Sequence, residues 1–422
     1  VRRAASRVLL ASAVGLTALR LAHDARNTRF DHTDFHLFFA AAQRSLEGGA
    51  VYLTRDPDLF RPGSPTGYKW PPPVAAALVP FAHRPIEQVI PLFFGLAVAC
   101  LGGSLVLLLA TLKPALRRAL LIVLAFLNWQ PFYETLYGLQ LEPLLLLLLS
   151  AWIALLRAGR LGWASVPLGA GAALKLYPGL LLLVPALRRR WRSLAAGLLA
   201  AAVTLLAAGL TLPLRLSFEY FAEVLPRLGG TSLSIDNVSA MAHLGRVAIL
   251  QSDVDRPWVL IADEAQLETA CGAFACAAAA AAWAVLCGLL VAIGVRAYRR
   301  GSALPAAVRE PAMGGLSLCL LLFLIPTSWL DYQTLLVLPL AWALAAAPGG
   351  ARRDPVTWTL LGAAAVLGAM PAGGWFYESH LAAFSLARSA LPLLLFWAHA
   401  RLLDPQVWRR SLRALGGAPE AF

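Results

Sequence analysis

Residues 137–160 read YGLQLEPLLLLLLSAWIALLRAGR. Every position from Leu144 to Leu149 is leucine, so a helix here has no polar face and must be surrounded by apolar material on all sides. Its polar residues are segregated by end. Gln140 and Glu142 stand at one mouth, Arg157 and Arg160 at the other. Basic residues flank membrane spans on the cytoplasmic side. The segment therefore predicts a transmembrane helix with 157–160 inside and Gln140 and Glu142 outside.

The rest of the chain repeats this pattern. It is 59% hydrophobic and 14% charged, where soluble domains carry about 25% charged residues, and its mean hydropathy is +0.67. Apolar runs at roughly 8–23, 86–112, 117–134, 140–156, 161–173, 176–187, 192–213, 268–296, 311–326, 332–348, 355–371 and 383–402 predict about twelve crossings. The first run follows Arg2, Arg3 and Arg7 and is expected to remain as an uncleaved span. The two short runs at 161–187 could form a re-entrant pair. Residues 71–82 are apolar but rich in proline, which suits a half-buried interfacial element better than a span.

Charge placement orients the whole. The net charge of +13 comes from clusters between the spans, such as Arg188/Arg189/Arg190/Arg192 and Arg299/Arg300/Arg309, and this excludes a nucleic-acid reading. On the side that holds these clusters only Glu310, Asp354, Asp404 and Glu420 are acidic, among 23 carboxylates in all. The expectation is a single all-α integral membrane domain over 1–422. Both termini face the cytoplasm, and two outer loops, about 24–85 and 214–267, contribute to one outward-facing site. All five cysteines lie in or beside apolar runs without metal-ligand spacing, so no disulfide framework or zinc site is expected.

Polar residues able to do chemistry gather at the outer ends. From Asp34 to Leu46 the apolar positions Phe35, Phe38, Phe39, Ala42 and Leu46 recur at helical spacing, ended by Gly48 and Gly49. This predicts an amphipathic helix on the outer membrane surface. Asp34 at its start is either a helix cap or a base that accepts a proton from an attacking hydroxyl. Asp31, Asp34 and His32 make a weak divalent-metal set, and no metal or other cofactor is expected. Tyr68-Lys69-Trp70-Pro71 is a rigid aromatic anchor or a sugar-stacking surface. Gln140 and Glu142 are costly in lipid unless they face a cavity, and their groups suit sugar hydroxyls. Lys175, between two apolar runs, snorkels to the interface or holds a phosphate. Asn237 is a loop turn or a pocket residue, and Asp331 a helix cap or a second acidic group in the pocket. With no phosphate-cradling glycine loop and no soluble domain, a nucleotide sugar has no evident seat. An activated donor already in the membrane fits better.

In order and spacing these strings resemble glycosyltransferase family 87, the polyprenyl-phosphomannose-dependent α-mannosyltransferases of the GT-C type. The carriers are Thr33-Asp34-Phe35, Gly49 with Tyr52, Tyr68 to Pro72, Gln140 with Glu142, and Lys175-Leu176-Tyr177-Pro178. They continue with Asn237 and Ser239, then Ser328-Trp329 before Leu338-Pro339, so that the likeness runs from Asp34 to about Pro339. The resemblance implies a GT-C bundle, a catalytic base at Asp34, a polyprenyl-phosphate mannose donor and a lipid- or glycan-linked acceptor. It departs from the family pattern at Glu142, where asparagine is usual, and at Asp331, where histidine often follows Ser-Trp. Both bear on which sugar and acceptor are recognised. Lys175 would bind donor phosphate, while Asp31, Tyr68, Gln140, Glu142, Asn237 and Asp331 would line the sugar and acceptor pocket. The competing expectation is a transporter or lipid-linked glycan flippase, which would favour internal repeats and polar groups at the bilayer midplane.

Overall fold

The computed structural model of the chain describes Gly15 and residues 34–53, 67–228, 237–248, 273–325, 328–347, 354–370 and 381–408. Apart from Gly15 the predicted first span lies outside the described residues, as does Asp31. Among those described, the chain is helical throughout, and its one β feature is an isolated bridge between Asn237 and Trp329.

The helix α1 (Asp34–Leu46) ends as its glycines predict. Gly48 takes φ +73°, and the amide of Gly49 bonds back to the carbonyl of Arg44 at 2.8 Å. Its apolar face is not open to lipid. Phe35, Phe38 and Phe39 are buried against Phe93, Tyr68 and Trp70, so protein covers the face expected to lie on the membrane. That cover is supplied by residues 67–71, α2 (Pro72–Ala76) and a 3-10 turn (Val79–Phe81), short helical pieces in the proline-rich run 71–82.

The spans then follow in chain order: α3 (Ile86–Leu112), α4 (Leu116–Leu127), α5 (Gln130–Gly138) and α6 (Glu142–Arg157). The run predicted as one span at 117–134 is broken, and α4 and α5 meet at 41° where Pro131 follows Trp129 and Gln130. After α6 come α7 (Ser165–Leu174), the 3-10 turn Tyr177–Leu182 with α8 (Leu183–Leu187), and α9 (Trp191–Ala208). Next are α10 (Arg215–Glu219), α11 (Ala240–Ala248), α12 (Ala273–Arg300) and α13 (Ala306–Leu324). The chain closes with the 3-10 stretch Leu330–Leu336, α14 (Val337–Ala346), α15 (Pro355–Ala369) and α16 (Leu381–Leu402).

Among the described residues four helices are by themselves long and apolar enough to cross a membrane: Ile86–Leu112, Trp191–Ala208, Ala277–Ala303 and Ala306–Leu324. The bent pair α4–α5 is a fifth if taken as one span. Ser165–Leu174, Tyr177–Leu187, Leu330–Ala346 and Pro355–Ala369 form shorter apolar helices, and in two of them Pro178, Pro185 and Pro339 limit regular α-hydrogen bonding.

Burial runs opposite to a soluble protein at the periphery. In α14 Val337 to Leu344 is buried all round. The outer helices α9 and α12 instead expose Leu198, Leu199, Val203, Leu206, Val285, Leu289 and Val291. Apolar surface on this scale demands an apolar solvent, and the chain is a membrane protein. Where helices touch, small residues let them close. A Cβ built on Gly169 in α7 would stand 1.8 Å from the carbonyl oxygen of Gly197 in α9, so these helices cross backbone to backbone.

Candidate active site

Five of the residues singled out from the sequence come together at one end of the bundle. Asp34 starts α1, Gln140 follows α5, Glu142 starts α6, Lys175 follows α7 and Asp331 lies in the first turn of the 3-10 stretch before α14. Five different helix ends thus supply one cluster, as the one-sided placement of polar residues predicts.

A strained turn sets Gln140. α5 ends with Leu139 at φ +46°, a left-handed conformation in which Leu139 and Gln140 donate their amides to the carbonyls of Leu136 and Thr135. A leucine stands where glycine is usual, and its side chain is buried. The turn aims the amide of Gln140 at α1, where Nε2 donates to Asp34 Oδ2 at 2.6 Å. Desolvation raises the Asp34 carboxyl above the ordinary aspartate value, while the Gln140 bond and the charge of Lys175 pull the other way. Lys69 and Glu142 also act on it electrostatically.

Lys175 is held in a cage. Its ammonium donates to Glu142 Oε1 at 2.5 Å and lies 3.6 Å from Asp331 Oδ2. It sits 4.1 Å above the Tyr332 ring, which stacks on Tyr177 with centroids 4.6 Å apart. The Tyr177 hydroxyl donates to the same Glu142 oxygen at 3.4 Å. Snorkelling to a lipid headgroup is thereby replaced by an internal ion pair with cation–π contact. Two buried acceptors stay unsatisfied at the mouth of α6, Gln140 Oε1 and Glu142 Oε2. Buried acceptors of this kind call for donors that the protein does not supply.

Two other singled-out residues bond to the backbone. The Tyr68 hydroxyl donates to the Pro71 carbonyl at 2.5 Å and accepts from the Ala75 amide at 3.1 Å, which fixes the start of α2. Asn237 Oδ1 accepts from the amides of Ser239 and Ser328 at 3.2 and 2.9 Å, tying two distant segments beside Asp331. Asp31 lies outside the described residues. Among the described residues no group of three or more His, Cys, Asp or Glu is arranged to hold a metal ion.

Two features were missed in the sequence. Tyr177 and Tyr332 wall the Lys175 cage, and each stands within two residues of a charged site residue, a signal overlooked beside the charges themselves. Arg388, fully buried in α16, reaches Glu134 of α5 at 3.2 Å and the Leu367 carbonyl at 3.0 Å. Its own carbonyl accepts from Gln333 at 2.8 Å, and Thr135 bonds Thr334 at 2.7 Å. This frame locks α5, and so Gln140, to the segment carrying Asp331. A lone arginine inside an apolar run was the available clue.

No curated protein and no solved structure matches the chain. The sequence model described as glycosyltransferase family 87 matches residues 68–322, more than half of the length. The matched region contains Gln140, Glu142 and Lys175, and geometry adds Asp34 and Asp331 from either side of it. An apolar helical bundle with this polar cluster and this match is a membrane glycosyltransferase, and the chain belongs to glycosyltransferase family 87.

Proposed function

We propose that the protein transfers mannose or a related sugar from a polyprenyl phosphate to a lipid- or glycan-linked acceptor, with inversion, at the outer face of the cytoplasmic membrane. The bundle would be of the GT-C type with about twelve crossings. The observation that carries this reading is the convergence of Asp34, Gln140, Glu142, Lys175 and Asp331 at one end of a membrane bundle.

In this mechanism Asp34 takes the proton of the acceptor hydroxyl as its oxygen bonds to the anomeric carbon. The bond from that carbon to the phosphate oxygen breaks, and the electron pair leaves on polyprenyl phosphate. A phosphate leaving group needs no protonating acid, so one carboxylate base suffices. Lys175 carries the positive charge that steadies the departing phosphate. In the ligand-free cage that charge is shared with Glu142 and Asp331, so donor phosphate competes with Asp331, the more distant partner. The unsatisfied oxygens of Gln140 and Glu142 suit sugar hydroxyls as donors. The reaction so written needs neither metal nor cofactor.

The test is turnover of purified Asp34→Asn with a polyprenyl-phosphosugar donor. Loss of a general base costs about 10²- to 10⁴-fold. Undiminished turnover would remove Asp34 from the mechanism.

A further inference from the structure

A second charged centre lies at the end of the bundle remote from Asp34. The segment that starts at Tyr177 in the site ends at Arg188, about 20 Å along a 3-10 turn and a short helix. There Arg188, Arg190 and Arg309 converge on Glu310 of α13. Arg190 is bidentate, with both nitrogens 3.0 Å from the carboxylate oxygens. Arg309 Nη2 lies at 3.2 Å, and Arg188 binds both oxygens and the Tyr298 hydroxyl. One buried carboxylate thus faces three guanidiniums, which leaves two positive charges uncompensated within the cluster.

The backbone is bent to make this arrangement. α8 ends with Arg189 at φ +54°, and the amide of Arg190 bonds back to the carbonyl of Pro185 at 2.8 Å. A left-handed arginine is strained, and the turn it makes brings Arg188 and Arg190 to the same carboxylate. A cavity of about 30 Å³ opens beside them, lined also by Ser165 and Ser193. That volume suits water rather than a ligand, so a bound anion would sit at its mouth. The rim of that mouth is apolar and exposed: Leu187 and Trp191 flank the arginines in the chain, each with most of its surface open.

We propose that Arg188, Arg190 and Arg309 bind the phosphate of an anionic phospholipid headgroup from the leaflet opposite the active site, with its acyl chains against Leu187 and Trp191. Two surplus positive charges call for an anion, guanidinium forks match phosphate oxygens, and an apolar rim calls for an amphiphile. By the loop charges this leaflet is the cytoplasmic one.

The experiment uses the full chain in nanodiscs of phosphatidylcholine with or without phosphatidylglycerol, and counts retained phosphatidylglycerol by native mass spectrometry. Arg190→Gln is expected to lower retention about fivefold, and Arg160→Gln, an exposed arginine in a neighbouring loop, to leave it unchanged. Arg188→Gln is expected to act like Arg190→Gln; if it does not fold, the more exposed Arg190 decides. Equal retention by the wild type and Arg190→Gln overturns the site. Displacement of the lipid by millimolar inorganic phosphate, with equal thermal protection, overturns the lipid assignment in favour of a free anion.

Discussion

At the level of single residues, the Asp34–Gln140 pair decides whether a base is available. Burial raises the Asp34 carboxyl, so the fraction present as carboxylate, and with it kcat/KM, falls as pH drops through a midpoint above the ordinary aspartate value. Gln140 donates to the charged form and opposes that rise. Gln140→Leu should therefore shift the acid limb of the kcat/KM profile to higher pH; an unmoved limb would detach this bond from catalysis. The same sign has a consequence for stability. A carboxyl with a raised folded-state pKa favours folding below its unfolded value and loses that contribution as pH rises through the folded value. At neutral pH Asp34→Asn removes this penalty, so the inactive variant is expected to melt no lower than the wild type. Gly138 offers a cleaner separation of activity from stability. A Cβ there would meet Gln140 Cγ at 3.2 Å and Nε2 at 3.4 Å. Gly138→Ala gains up to about 1 kcal/mol of helix propensity yet displaces the amide, and a tenfold loss of kcat at unchanged or higher Tm is expected, within the roughly 10²-fold scale of misplacement effects. The clustering of Asp34, Gln140, Glu142, Lys175 and Asp331 was legible in the sequence because charged and polar groups inside an apolar chain are costly and mark themselves. Tyr68 and Asn237 were not separable from them. Their polar atoms serve backbone groups whose need for partners emerges only when distant segments meet.

Helices were legible where apolar length alone defines them. The run 86–112 is a helix over those same residues, and the proline-rich run 71–82 holds a short α-helix and a 3-10 turn. Legibility failed where packing overrides pattern. The run 117–134 bends by 41° beside Pro131, and there Trp129 docks against Gly368 and donates Nε1 to the Gln333 carbonyl at 2.9 Å. The amphipathic face of α1 suggested lipid, and protein took its place, since period and hydrophobicity do not tell one apolar partner from another. The crossing of α7 and α9 shows the same limit, because a glycine at Gly169 matters only opposite Gly197. Gly169→Ala would drive a methyl to 1.8 Å from a carbonyl oxygen. It should destabilise the bundle by about 1–3 kcal/mol, read as a lower apparent Tm in detergent. Gly288→Ala in α12, with nothing within 4 Å, should instead hold or raise it.

Across the whole molecule, two charged centres sit at opposite ends of shared helices, and their signs differ. The Asp34 end gathers Glu142 and Asp331 around Lys175, with Asp34 within electrostatic reach, while the Arg188 end gathers three arginines around Glu310. α13 starts at the second centre and runs toward the first, so the polarity belongs to the fold and not to the loops alone. On the proposed reading the positive-inside rule predicts that the arginine end faces the cytoplasm and the Asp34 end the other side, where a membrane-borne donor would have to present its sugar. This orientation is open to direct measurement. In a background lacking Cys100, Cys271, Cys276, Cys287 and Cys319, single cysteines are placed at Glu47, exposed just past α1, and at Arg160, exposed after α6. A membrane-impermeant maleimide applied to intact cells should label Glu47→Cys at once and Arg160→Cys only after permeabilisation. The reverse pattern would put the site in the cytoplasm, within reach of soluble nucleotide sugars, and would remove the main reason for a lipid-linked donor.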